Sequence, residues 1–326
     1  MTELLVSHES WAIRGTFRIS RGSKTSAEVV VVKLQRDGAV GRGECVPYGR
    51  YGESIDSVMA QIDSLRTDLR NDMDRDALQG ALAAGAARNA VDCALWDLEA
   101  KSTDSPVFEL AGIRAPQPVT TAFTLSLDTA QRMRETAHAH RNTPLLKLKL
   151  AGDGDMERVQ AVREGAPKTR IVVDANEGWS IEQYVSYTPR LRSLGVEMVE
   201  QPFPSNQDEV LEDLERPVAV CADESCHDRS SLPALMGRYD MVNIKLDKTG
   251  GLTEALALKR EAADRGFEIM VGCMLATSLA MAPALYLCGD AAIVDLDGPL
   301  LLEKDRPGGL RIENTTIYPP QAELWG

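Results

Sequence analysis

Along the second half of this chain, a charged residue closes one short apolar run after another. Lys149, Asp174, Glu200, Asp223 and Lys245 stand 25, 26, 23 and 22 residues apart, the length of one β/α unit each time. The runs that carry them are LLKLKL to Leu150, RIVVDAN to Asn176, GVEMVEQP to Pro202, VAVCADES to Ser225 and DMVNIKLD to Asp247. Three more frame these: TAFTLSL from about Thr120, EIMVGCM to Met274 and AIVDLDGP to Pro299. Helical segments lie between them. Ser180 and Gln183 are spaced for a capping box, and Gly266 can end a helix that begins near Leu252. Eight such units in under 200 residues predict an α/β chain with a parallel (β/α) barrel. A doubly wound open sheet is the alternative, but no GxGxxG follows any strand.

The first third reads differently. Ser26 to Gln35 is a valine-rich strand, Arg36-Asp37-Gly38 a turn, and Ala39 to Cys45 a returning strand. Residues 54–69 and 75–100 read as helices, with Ala87, Val91, Ala94, Leu95 and Leu98 on one face of the second. Strands followed by helices predict a separate α+β domain over 1–114, completed by 309–326, beside a barrel over 115–308.

With 44% hydrophobic residues the chain can bury a large core, which excludes a disordered protein. Its formal charge of −13 disfavours nucleic acid and anionic membranes as partners, though not an anionic substrate. Six scattered cysteines without a CxxC pair, and only four histidines, fit neither a disulfide scaffold nor a zinc site. Reduced thiols and an N-terminus without basic and apolar signal regions point to the cytoplasm. Ile269 to Gly289 carries no charge and is long enough to span a bilayer, but Gly272, Thr277-Ser278 and Pro283 interrupt it. A buried strand, a loop and a buried helix are expected there.

Strand alternation puts Asp174 on the face of Val172, Glu200 with Met198, Asp223 with Cys221, and Lys245 with Asn243. These charges should therefore ring the barrel mouth, where barrel enzymes keep their active sites. Each alone has an ordinary explanation. A Lys-x-Lys strand is usually a solvated edge, yet Leu146, Leu148 and Leu150 fill the other face of Lys147 and Lys149, and a barrel has no edge. An Asp after a strand usually caps a helix, as Asp228 should before Ser231. His227 reads as structural, and Thr249-Gly250-Gly251 as a tight turn rather than a phosphate loop.

Three carboxylates on adjacent strand ends would repel one another and raise each other's pKa values. One Mg²⁺ per subunit answers that, since hard oxygen donors suit it and it keeps positions open for substrate. Two lysines flanking such a site suggest proton transfer at the carbon next to a carboxylate. The metal would stabilise the enediolate while one lysine removes the proton and the other returns one. A lysine base with Mg²⁺ is the pairing of enolase-superfamily sites. Lys147 and the metal would together push the Lys149 pKa down.

The ordered motifs KLK, VVDAN, VEQP, ADES, NIKLDKTGG and VDLDGP, with GECVPYGRYGES from Gly43 and ARNAVDCALWDLEAK from Ala87, resemble the muconate-lactonising subgroup of the enolase superfamily. The likeness covers nearly the whole chain and is greatest to dipeptide epimerases of the bacterial L-Ala-D/L-Glu type. It implies a capping domain over the barrel, Asp174, Glu200 and Asp223 as Mg²⁺ ligands, and Lys149 and Lys245 as the acid/base pair. Lys147 would neutralise the substrate carboxylate, and Asp295 and Asp297 would hold the dipeptide ammonium. Arg21 or Lys24, in a capping loop, would pair with a glutamate side chain. Thr124 and the backbone at Cys273, Met274 and Leu275 would touch substrate. The implied activity is epimerisation at the α-carbon of the C-terminal residue, in murein peptide recycling, with a small dipeptide as partner and a homo-oligomer left open. Alternatives are o-succinylbenzoate synthesis, N-acylamino acid racemisation, cycloisomerisation, a dipeptide epimerase of other specificity, or a non-catalytic binding barrel.

Overall fold

The computed structural model describes residues 1–326. Its first sheet is antiparallel in the order β1 (Glu3–Ile19), β2 (Gly22–Arg36), β3 (Ala39–Cys45). Strand β1 has no counterpart in the sequence reading, because its apolar positions are diluted by exposed polar ones on both faces. Val29 to Val32 are buried in the middle of β2. The two helical stretches are each broken in two, as Ile55–Ser64 with Arg66–Arg70, and Arg75–Ala81 with Ala86–Thr103. The second break falls at Gly85, where the Ala86 N–H donates to Glu53 Oε1 at 2.8 Å instead of to a helical carbonyl.

A short strand, β4 (Val119–Thr120), leads into the barrel. Its strands are β5 (Phe123–Leu125), β6 (Leu145–Lys149), β7 (Arg170–Asp174), β8 (Val196–Glu200), β9 (Ala219–Ala222), β10 (Met241–Ile244), β11 (Glu268–Gly272) and β12 (Ile293–Asp295). All eight run parallel, each hydrogen-bonded to its neighbours in sequence order. The seam between β12 and β5 is bridged by Ala122 N–H to Val294 O and Leu296 N–H to Thr121 Oγ1, both 2.8 Å. The expected (β/α) barrel is therefore present and nearly closed.

Inward-facing residues form layers. The base holds one from each strand or its edge: Ala122, Leu145, Val172, Met198, Cys221, Met241, Met270 and Ile293. The outward faces, among them Leu146, Leu148, Val173, Val199, Val242 and Val271, pack under the helices in the largest core. Ser180 and Gln183 form the expected capping box, and Asp228 caps the turn that begins at Arg229. The uncharged stretch 269–289 holds most of β11, a loop and the Ser278–Ala284 helix, and no helix is long and apolar enough to cross a membrane.

After the barrel, β13 (Ile312–Glu313) pairs with β14 (Thr316–Ile317), which in turn pairs with β4. The C-terminal residues then reach the first domain. Trp325 Nε1 donates to Cys93 O at 3.1 Å and the Gly326 N–H to Asp97 Oδ1 at 2.7 Å.

Candidate active site

Two residues above the apolar base, and two further on at Lys149, Lys245 and Asp297, the same alternation brings polar side chains to the barrel mouth. Asp174 and Glu200 end β7 and β8, and Asp223 and Lys245 lie one residue beyond β9 and β10. Lys147 and Lys149 both face inward from β6. Asp295 ends β12, and Asp297 precedes the short Gly298–Leu301 helix. All eight are buried, as is Thr124 on β5.

The charges satisfy one another in pairs. Lys149 Nζ lies 2.6 Å from Asp174 Oδ2, and Lys245 Nζ 2.6 Å from Asp223 Oδ2. Lys147 Nζ lies 2.5 Å from Glu200 Oε2, 2.7 Å from Asp295 Oδ2 and 3.6 Å from Asp174 Oδ2. The Thr124 N–H donates to Asp297 Oδ2 at 2.6 Å, so that carboxylate bonds across the barrel seam and not to its own helix.

Burial sets the electrostatics. It pushes Glu200 up to about 7, helped by Asp174, and Asp297 up to about 7, helped by Asp295. Burial also opposes ionised Asp174 and Asp223, but their lysines hold both below the ordinary value. The Lys147 and Lys245 ammoniums are likewise disfavoured by burial, yet their carboxylate partners keep both well above the ordinary lysine value.

The three expected metal ligands reach adjacent strand ends, but no three His, Cys, Asp or Glu side chains converge at metal-binding distance. Each is drawn to a lysine instead. The donor set still suits a hard cation. It is all carboxylate and fully desolvated, and Glu200 is penalised as an anion, an imbalance that a nearby cation would relieve.

A cavity of about 450 Å³ opens above this layer, between barrel and first domain. Lys149, Asp223, Lys245, Cys273 and Met274 line it from below, and Arg21, Lys24, Tyr48 and Tyr51 from the cap. Lys147, Thr124, Asp295 and Asp297, expected to touch substrate, do not line it. Lys147 is pulled below its floor by Glu200 and Asp295. One buried acceptor there, Asp295 Oδ1, has no partner.

The two capping-loop cations differ. Arg21 is committed: its guanidinium meets Glu224 Oε1 at 2.6 Å, Asn176 O at 2.8 Å, and Glu177 Oε2 and Tyr48 Oη at 3.1 Å. Lys24 has no salt bridge, and its Nζ stands 5.7 Å from the Tyr48 ring centre. His227 Nε2 lies 3.2 Å from Glu224 O, and its ring stands edge-on to Tyr51.

Three residues had no role in the sequence reading. Glu224 holds Arg21. Lys248, 1% exposed, donates to Asp223 Oδ1 at 2.6 Å and Asn243 O at 3.0 Å. Asn243 donates to Glu200 Oε1 at 2.7 Å, and a Cβ on Gly272 would stand 2.5 Å from its Oδ1, so the neighbouring strand must lack a side chain. The available signal was density: DES and KLDK crowd charges that one solvated face does not need.

Comparison with known proteins agrees with this architecture. Residues 1–112 match the mandelate racemase / muconate lactonizing enzyme N-terminal domain, and residues 128–323 the enolase C-terminal domain-like family. The chain belongs to the mandelate racemase / muconate lactonizing enzyme family of the enolase superfamily. It is 49% identical over 320 residues to the L-Ala-D/L-Glu epimerase of Escherichia coli K12, covering 98% of this chain and 100% of that one. It is 44% identical over 300 residues to an N-acetyl-D-glutamate racemase of Pseudoalteromonas sp., covering 91% and 95%. Among solved structures, an enolase family member from Agrobacterium tumefaciens with bound sodium and L-Ala-L-Glu superposes with a TM-score of 0.98 at 47% identity, over 100% of both chains. A dipeptide epimerase from Cytophaga hutchinsonii, complexed with Mg and D-Ala-L-Val, gives 0.90 at 25% identity, over 98% of this chain and 93% of that one.

Proposed function

We propose that this chain is an isomerase, a dipeptide epimerase that moves a proton at the α-carbon of the C-terminal residue of L-Ala-D/L-Glu. The carrying observation is the placement of Lys149 and Lys245. Their strands, β6 and β10, stand four apart in an eight-stranded barrel, so the two ammoniums approach one cavity from opposite sides. That arrangement lets one lysine take the α-proton from one face while the other delivers one to the opposite face.

Asp174, Glu200 and Asp223 would hold Mg²⁺. When bound, it supplies Lewis-acid stabilisation of the charge that builds on the substrate carboxylate as the α-proton leaves. Lys147 adds a positive charge beneath that carboxylate. Asp295, with its unpartnered Oδ1, and the strained anion of Asp297 would accept the dipeptide ammonium. Lys24, the uncommitted cation, would meet the glutamate side chain. Arg21 would hold the loop shut through Glu224 and Glu177, and Cys273 and Met274 would pack on the substrate backbone. Residues 1–114 with 309–326 act as the cap and 115–308 as the catalytic barrel, supported by the Trp325 and Gly326 contacts. A role in recycling murein peptides in the cytoplasm follows from the substrate class.

The test is incubation in deuterated water with Mg²⁺. Both L-Ala-L-Glu and L-Ala-D-Glu should acquire α-deuterium and interconvert, and chelation of divalent cations should stop it. Absence of exchange in every dipeptide would refute the assignment. The Pseudoalteromonas relative makes N-acetylglutamate the second reading. It lacks an ammonium for Asp295 and Asp297, so it should exchange more slowly, and faster exchange would favour it.

A further inference from the structure

The ARNAVDCALWD segment of the cap reads in sequence as an apolar helix face. In the structure the Ala86–Thr103 helix also presents polar groups to one short piece of the barrel, residues 247–253. Arg88 Nη2 donates to Thr249 O at 2.7 Å and Nε to Gly250 O at 3.2 Å. Asn89 Nδ2 donates to Asp247 Oδ1 at 2.9 Å, and the Val46 N–H reaches the same oxygen at 2.9 Å. Asp92 Oδ2 accepts from the Thr253 N–H at 3.0 Å, and Trp96 Nε1 donates to Thr253 Oγ1 at 2.9 Å. Asp92 thereby caps the Leu252–Asp264 helix, whose own N-cap, Gly251, has no side chain to do so. The approach is too close for anything but glycine: a Cβ would stand 2.4 Å from Arg88 Nε at Gly250 and 2.4 Å from Asp92 Cβ at Gly251.

The gripped piece begins just after Lys245, which lies beyond the last residue of β10 and starts the Leu246–Thr249 turn. Lys149 is placed otherwise. It is inside β6, its backbone in register with Asp174 on β7. Both lysines stand on barrel strands, but only the backbone that follows Lys245 is held by hydrogen bonds from the cap.

We propose that the capping domain positions Lys245 through the contacts of Val46 and Asn89 with Asp247, backed by Arg88 and Asp92, while Lys149 takes its hydrogen bond and backbone register from the barrel and meets the cap only through the Phe17 ring, 6.0 Å from its Nζ. This rests on Lys149 and Lys245 being the acid/base pair. Asp247 touches neither substrate nor reacting atoms, so it is a positioning residue. Loosening it should lengthen the reach of one lysine only, and small displacements of a catalytic group cost rate steeply.

The experiment follows α-deuterium incorporation from each epimer separately, in the full chain with Mg²⁺. Lys149→Ala and Lys245→Ala first show which epimer's α-proton each lysine reaches. Asp247→Ala should then slow exchange of the epimer on the Lys245 side about ten-fold more than that of the other. Asn89→Ala should shift the ratio the same way by a smaller factor. Asp247→Asn should keep the wild-type ratio, because its amide oxygen can accept both bonds. Equal slowing of the two epimers in Asn89→Ala and Asp247→Ala overturns the proposal, and Asn89→Ala alone decides it if Asp247→Ala does not fold. If the two lysine variants fail to give opposite one-sided losses, the acid/base reading itself falls, and this inference with it.

Discussion

The base and the mouth of the barrel are adjacent layers built on the same eight strands, two residues apart along each. The base is Ala, Leu, Val, Met, Cys, Met, Met and Ile, packed without a charge. The mouth carries Lys147, Asp174, Glu200, Asp223, Asn243 and Asp295 in the corresponding positions. Backbone geometry is shared, so the difference lies in side chains alone. The base contributes burial of apolar surface to stability. The mouth holds desolvated ions that stabilise little in net terms and are tolerable only because they are paired.

Substitutions should separate the two layers by kind as well as size. The largest effect belongs to the lysines one inward-facing step above the mouth layer. Lys149→Ala or Lys245→Ala should lower epimer interconversion about 10³-fold, with exchange retained from one epimer in each. Full activity in either variant would end the two-base mechanism. The base should respond in stability. Met198→Ala removes a buried side chain from the apolar layer and should cost about 2–5 kcal/mol in denaturant unfolding, with the ratio of exchange rates from the two epimers unchanged at low temperature. A changed ratio would mean that the layers are mechanically coupled.

A third contrast is in pH. Asp297 is pushed up to about 7 by burial and by Asp295. Its folded value is above the unfolded one, so the native state binds the extra proton between them. Its contribution to stability is therefore full below about pH 4 and is lost as pH rises towards 7. Asp297→Asn should gain on the parent in melting temperature across that window. Parallel curves for the two proteins would show that the carboxylate is not strained as described. The smallest effect is at the rim. Lys24→Gln should raise KM for L-Ala-Glu about ten-fold with kcat little changed, as loss of one charge-assisted contact predicts. No change would leave Arg21 as the side-chain partner.

Much of the barrel was legible because its rules are local. A period of two within each run and about 24 residues between runs place a residue on a strand, on a face and near an end without knowledge of any partner. That was enough for Lys149, Asp174, Glu200, Asp223 and Lys245. Strand β1 was not legible, because a two-sided polar strand has no apolar period to detect. The break at Gly85 was hidden by helix-forming alanines on both sides. The sequence reading gave no sign that Lys147 pairs with Asp295 and Glu200, or that Asp297 joins Thr124 across the seam.

The chain order of charges determined by itself that a barrel mouth would gather carboxylates and lysines, since alternation and spacing leave those side chains nowhere else to point. Which ion meets which was decided only in three dimensions. Closing the barrel brings β12 and β5 together from opposite ends of the domain, and folding the cap down commits Arg21 to Glu224 while leaving Lys24 free. It also sets the Ala86–Thr103 helix on the turn after Lys245. Coulomb and hydrogen-bond energies depend on distances of a few ångströms between residues far apart in the chain, 173 positions for Thr124 and Asp297 and 203 for Arg21 and Glu224, and no one-dimensional period encodes those distances.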